Sequence, residues 1–254
     1  MIPEHVRTGR LTLHGRVLPA SNATFVGDVD GVRVVYKPVA GERPLWDFPD
    51  GTLAAREVAS YLLSELTGWS IVPPTILRDG PHGVGMVQLW QDIDEAQTPV
   101  DIVPAGRTPA GYRHVFDGLD AQDQPVSLVH EDTSALRRMA VLDIVLNNAD
   151  RKGGHVLPMP GGHRHGVDHG LTFHVDHKLR TVLWGWLGES LDPEELEGVR
   201  RVVEALSSGA GELAELLLPE EIDATLTRAR TLLSAAAFPA PEAAGYPVIP
   251  WPPI

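Results

Sequence analysis

Between residues 10 and 37 apolar and polar positions alternate in three short runs, RLTLHGRVL, ATFVGDV and VRVVYK, all rich in β-branched residues. A period of two marks half-buried strands, and Ser21-Asn22 and Asp30-Gly31 supply turns between them, so the segment reads as an antiparallel meander. The period then lengthens. From Thr52 to Leu66 the residues Leu53, Val58, Tyr61, Leu62 and Leu66 recur at helical spacing, with Gly68 just beyond, which predicts a helix of about four turns. PPTILR and GVGMVQLWQ, joined at Asp79-Gly80, read as a further strand pair. Residues 1–91 thus predict a small antiparallel sheet with one helix.

Residues 92–131 carry scattered Asp, Pro and Gly with weak periodicity and read as a linker region with short strands or turns. Helical spacing returns after Asp132-Thr133-Ser134, which offers N-caps for a helix through about Asn147 with a wide apolar face from Leu136, Met139, Ala140, Val141, Ile144 and Val145. Asp192-Pro193 opens another helix to about Leu206, and Pro219-Glu220-Glu221 one to about Ala237. Residues 132–238 therefore read as a second, mainly helical lobe, and the fold class as α+β. The segment 239–254, PAPEAAGYPVIPWPPI, holds too much proline for a helix and reads as an extended tail whose aromatic tip docks on the body or on a protein partner.

Composition narrows the functions. The net charge of −13 and the lack of a basic patch argue against nucleic acid and anionic lipid as partners. There is no cysteine, which removes disulfides, cysteine-bound zinc and a cysteine nucleophile. No stretch has the length of a signal-peptide core or a membrane span, so the expected location is cytoplasmic. Lysine occurs only at Lys37, Lys152 and Lys178 in a chain that otherwise uses arginine, and each of the three invites a reason.

Lys37 closes VRVVYKP on the sheet face opposite Val32, Val34 and Tyr36. It is either an edge lysine in solvent or the partner of Glu57, which falls on the same helical stripe as Leu53 and Tyr61 and needs a cation if that stripe is buried. A strand lysine followed by a helix glutamate is how kinase-type folds hold a lysine beside nucleotide phosphates. In LDIVLNNADRKGGHVL a buried helix runs into a loop that offers a carboxylate, a guanidinium and an imidazole at one rigid edge, with Asp150 able to accept a hydroxyl proton. The simpler alternative is that these residues cap the helix and Gly153-Gly154 make a hairpin turn. In HRHGVDHGLTFHVDHK, Asp168 precedes a glycine-containing turn, a way of aiming a carboxylate at magnesium. The histidines His155, His163, His165, His169, His174 and His177 crowd this part of the chain, so a transition-metal site is weighed beside it, although no HExxH spacing appears.

The order Lys37, Glu57, Asp150-Arg151, Asp168 resembles the phosphatidylinositol 3-/4-kinase superfamily and its HipA-like relatives. The stretches NNADRKGGHVL, VDHGLTF and LRTVLWGW, within a resemblance covering residues 8 to 236, are similar to an actinobacterial family distantly related to those kinases. The resemblance implies a two-lobed, protein-kinase-like fold. Ser21, Asn22 and Thr24 would cover the phosphates of ATP, Lys37 would contact them while paired to Glu57, and Met86 to Trp90, with Gln88, Leu89 and Trp90, would form the hinge beside adenine. Asp150 matches the catalytic aspartate of a D-R-x-x-x-N motif, with Arg151 as its companion. Asp168 matches the metal-binding aspartate of a D-F-G-like motif. The chain departs from the pattern at His155, where those kinases carry asparagine. Imidazole suits manganese better than magnesium, so His155 and Asp168 are expected to hold Mg2+ or Mn2+. The expected activity is ATP-dependent phosphotransfer to a protein hydroxyl or small metabolite. The alternatives are a nucleotide-binding pseudokinase and a His-rich metalloenzyme.

Overall fold

The computed structural model describes residues 2–18, 21–241 and 247–254. A short helix α1 (Glu4–Thr8) leads into β1 (Leu11–Arg16), β2 (Phe25–Val29) and β3 (Val32–Pro38). Helix α2 (Leu53–Thr67) follows, then β4 (Thr75–Gly80) and β5 (Gly83–Leu89), all in one antiparallel sheet of order β1-β2-β3-β5-β4. Asp30 and Gly31 both have positive φ, 49° and 83°, as a two-residue hairpin turn of matching twist requires. The β4–β5 turn falls at Pro81-His82, two residues beyond the expected Asp79-Gly80, because Gly80 still pairs with Gly83. Gly80 serves packing instead: a Cβ there would lie 2.7 Å from the Tyr36 ring.

Both sheet faces are covered. Val34, Tyr36, Ile76, Val87, Val29 and Leu11 meet Ile2 and Val6 of the N-terminal segment, an element that its short length hid from periodicity. On the other face Met86 and Leu77, which share a row with Lys37, receive Ala54, Val58 and Leu62 of α2. Lys37 therefore projects beside α2, and it lies away from the sheet edge because β3 is the central strand, paired to β2 and β5.

Residues 92–131 are more ordered than a linker. β6 (Val100–Pro104), β7 (Tyr112–Leu119) and β8 (Pro125–Glu131) form an antiparallel sheet of order β6-β8-β7. Its strands were hidden because β7 is broken by a bulge between His114 and Phe116 and shows no clean alternation of burial. Helix α3 (Ser134–Leu146) starts with the Thr133 side chain accepting from the Leu136 N–H and ends on Asn147 at φ 55°. Then come the short strands β9 (Val156–Pro158) and β10 (Arg164–Gly166), α4 (Pro193–Ser207) with a capping box from Asp192 and Glu195, and α5 (Pro219–Ala235). The fold is α+β, and its main core joins α2, α3, α4 and α5 around Leu136, Met139, Leu142, Phe173, Trp186 and Val199. Of the tail, 242–246 lie outside the described residues. Residues 247–254 lie along the body with bends at 248–249 and 251–252, the Val248 carbonyl accepting from Thr181 and Trp184 and the Pro253 carbonyl from Gly153, while Trp251 is exposed. No described helix is long and apolar enough to cross a membrane.

Candidate functional site

Three distant segments meet at Lys37. Its Nζ donates to Glu57 Oε1 on α2 at 2.5 Å and to Asp168 Oδ1, after β10, at 2.7 Å. Glu57 is buried, and its second oxygen accepts the His169 backbone N–H at 3.0 Å, so both oxygens serve donors as an ionised carboxylate does. Burial works against the Lys37 charge, but the two carboxylates outweigh it and hold the ammonium above its ordinary range. The same ammonium holds the Asp168 carboxyl well below the usual carboxylate range. Burial raises Glu57 against the opposing pull of Lys37. Asp168 has φ 61°, in the left-handed region, and its side chain remains 52% exposed. A non-glycine residue held there stores strain of about 1–3 kcal/mol, which this segment tolerates because His169, Gly170 and Thr172 are clamped against α2.

The loop after α3 supplies the second half. Asn147 donates to the His174 and Asp176 carbonyls and accepts from Lys178 N, and Asn148 bridges Asp143 and the Asp150 N–H. These asparagines cap the helix, but Gly153-Gly154 form a single 3-10 turn with His155; the hairpin turn lies at Pro160–Gly162. Asp150 is partly exposed and meets Lys152 Nζ at 3.0 Å. Arg151 differs from the expected companion on a rigid edge. Its guanidinium is fully buried, paired through two nitrogens to Asp143 at 2.8 and 2.9 Å, and it donates to the carbonyls of His155 and Val167 and to His169 Nε2. Asp143 shares the helical stripe of Leu136, Met139 and Ala140, and a carboxylate on that inward face of α3 needs such a cation. Because arginine only donates, His169 is neutral with its hydrogen on Nδ1, and burial and the adjacent Arg151 keep its pKa well below the ordinary value.

His155 Nε2 faces Asp168 Oδ2 at 3.4 Å without a hydrogen bond, and its Nδ1 is buried with no partner. Burial pushes its pKa down, with Asp168, Asp150 and Lys152 among the charges acting on it. A neutral imidazole and a carboxylate facing each other unbonded form a donor pair that fits a divalent cation whose other ligands are waters or phosphate oxygens. Among the described residues no three His, Asp or Glu side chains gather as a metal cluster. His163, His165 and His174 are each bonded to a backbone carbonyl, of Ser70, Ile71 and Asp47.

The remaining expected residues divide. Asn22 accepts the Arg43 N–H, Thr24 is buried with its hydroxyl toward the Asn22 carbonyl, and Ser21 is exposed, so this loop is fastened to the segment following β3. Residues 19 and 20 of that loop lie outside the described residues. Gln88 is buried and donates to Thr75 Oγ1 at 2.9 Å. The N–H groups of Leu89 and Trp90 are bonded to the carbonyls of Pro74 and Arg33, so neither amide is open to a base in this conformation. The Trp90 ring lies under the Arg33 guanidinium at 5.3 Å. Two residues of the site had no role assigned from the sequence: Asp143, whose signal was its place on the apolar stripe of α3, and Lys152, whose signal was its rarity as a lysine.

No family model matches the chain. It is 48% identical over 258 residues to Protein Rv2133c of Mycobacterium tuberculosis, a match covering 96% of this chain and 92% of that protein. The chain belongs to the family of that protein. A solved structure, that of the Helicobacter pylori proinflammatory kinase CtkA, overlaps 91% of this chain and 94% of its own at 10% identity and a TM-score of 0.48.

Proposed function

We propose that the chain is a kinase-like phosphotransferase that uses ATP and a divalent metal. The observation that carries this reading is the Lys37 ammonium held between Glu57 and the half-exposed, left-handed Asp168. Lys37 has a buried anchor on one side and an accessible carboxylate on the other, so phosphate oxygens entering the site can take its third N–H without displacing Glu57. Asp168 Oδ2 and His155 Nε2 would hold the metal, which supplies charge neutralisation of the phosphates when bound. Asp150 accepts the proton of the acceptor hydroxyl as the new oxygen–phosphorus bond forms, while the bond from the γ-phosphorus to its bridging oxygen breaks and ADP leaves with that electron pair. Lys152, beside Asp150, opposes the charge on the transferred group. Arg151 fixes the loop from below. The acceptor is a protein hydroxyl or small metabolite, in keeping with a net charge of −13 that disfavours anionic lipid surfaces.

One observation favours binding without turnover: His155 stands where an oxygen donor would suit magnesium better. The same experiment separates the two readings. Asp150→Asn is expected to lower ATP hydrolysis or phosphotransfer by about 10²-fold with nucleotide affinity unchanged, as for loss of a positioned base. Nucleotide binding by the wild type without turnover under Mg2+ or Mn2+ would select the non-catalytic reading, and a drop in affinity in Asp150→Asn equal to the drop in rate would remove Asp150 as a base.

A further inference from the structure

Helix α2 carries Glu57, yet its polar attachments run mostly away from the sheet that carries Lys37. Arg56, adjacent to Glu57 and 1% exposed, pairs with Glu221 on α5 and donates to the Thr172 carbonyl. It also lies over the Phe48 ring at 5.2 Å, and its Nε points to Thr52 Oγ1. One turn on, Ser60 shares a hydrogen bond with Thr172 Oγ1 at 3.2 Å. At the far end of α2, Arg201 of α4 donates to the Leu66 and Thr67 carbonyls, and Gly198 of α4 packs so close to Trp69 that a Cβ would overlap its ring. Against the sheet, α2 sets the apolar side chains Ala54, Val58 and Leu62 on Met86 and Leu77, with Lys37–Glu57 as the ionic link. Apolar contacts permit sliding, whereas a buried ion pair with directed hydrogen bonds fixes rotation and translation of the helix.

We propose that Arg56 and Glu221 are positioning residues that lock α2 in the register where Glu57 meets Lys37, so that the phosphate-binding clasp is assembled without a separate activating step. Glu221 is suited to this because it is itself fixed: its other oxygen accepts the Leu218 N–H at the start of α5, which pins the carboxylate from both sides. Arg56 reads two elements at once, α5 through Glu221 and the segment behind Asp168 through Thr172, so both halves of the clasp share one anchor. The proposal rests on reading Lys37–Glu57 as a phosphate clasp, but the assembled state of that clasp can be measured without nucleotide.

The chain has three lysines, which makes amine acylation a site-resolved test. Wild-type protein and Glu221→Gln are labelled under native conditions with an N-hydroxysuccinimide ester, and modification at Lys37 is quantified by mass spectrometry relative to Lys152 and Lys178. Release of α2 frees the Lys37 amine from Glu57, and the Lys37-to-Lys178 ratio is expected to rise at least fivefold. Leu128→Ala, which truncates a buried side chain of β8, away from α2, α4 and α5, serves as a control for general destabilisation and is expected to leave the ratio unchanged. An unchanged ratio in Glu221→Gln, or an equal rise in both variants, overturns the proposal. Should Glu221→Gln not fold, hydrogen exchange of the wild type decides: α2 amides protected like those of α5 support the lock, and α2 amides exchanging together with β1 to β3 overturn it. Failure of ATP to bind would refute the phosphate reading and leave these two readouts intact.

Discussion

Two ionic nodes lie on either side of the Asp150 loop, and they use the same kinds of residues to opposite ends. At Arg151–Asp143 both side chains are fully buried and the guanidinium is spent on a carboxylate, two carbonyls and an imidazole nitrogen. At Lys37 the anchor Glu57 is equally buried, but the other partner, Asp168, keeps half of its side chain in solvent. A saturated buried node can only hold the fold. A node with a spare N–H beside a solvent-exposed partner can take up a ligand, and this difference in saturation, not residue type, separates brace from site.

The largest effect should come from breaking the brace. Asp143→Asn leaves the Arg151 charge buried without its counterion, and the expected loss is about 3–5 kcal/mol in urea unfolding. A loss below about 1 kcal/mol, the range of an exposed pair, would erase the distinction between the two nodes.

Histidines sharpen the same contrast through pH. His130 donates from Nδ1 to the Glu131 carbonyl and accepts the Gly185 N–H at Nε2, and burial pushes its pKa down to about 4. Its folded pKa lies below the unfolded value of about 6.5, so the unfolded chain binds the proton first and stability falls as pH drops from about 6.5 to about 4, by about 3 kcal/mol in all. Stability measured by denaturant at pH 7 and pH 4.5 should show this slope, and His130→Gln should reduce it, leaving the part due to the other buried histidines such as His169. An unaltered slope in the variant would place the acid sensitivity elsewhere.

His155 is the counterpart, a neutral imidazole facing a carboxylate instead of an amide. His155→Asn should move the ratio of manganese to magnesium affinity toward magnesium by about tenfold, near 1.4 kcal/mol, as an oxygen donor replaces nitrogen. An identical ratio in variant and wild type would show that His155 is not a ligand.

What could be read from the sequence follows the same line. Strand alternation and a helical stripe are local, so the facing of Lys37 and Glu57 was legible, as were the boundaries of α2, α3 and α4 to within a residue or two. Saturation is a property of the folded whole. Asp143 falls on the apolar stripe of α3, but nothing local says that Arg151, eight residues later, turns back to meet it, and nothing near Gln88 says that its amide is taken by Thr75. At 100–131 only short strands or turns were legible, and their assembly into one sheet was not: a bulged strand and proline- and glycine-rich turns blur the period of two on which strand prediction depends. The site residues were thus visible as types, while their division into brace and binding group required the tertiary contacts.

The central claim is that Lys37 is a phosphate-binding group held ready by Glu57. Calorimetric titration of ATP with Mn2+ into wild-type protein and Lys37→Met, with circular dichroism to establish that both are folded, tests it directly. The account predicts saturable binding by the wild type and at least tenfold weaker binding by the folded variant; equal affinity in the two proteins, or no binding by the wild type, would contradict it.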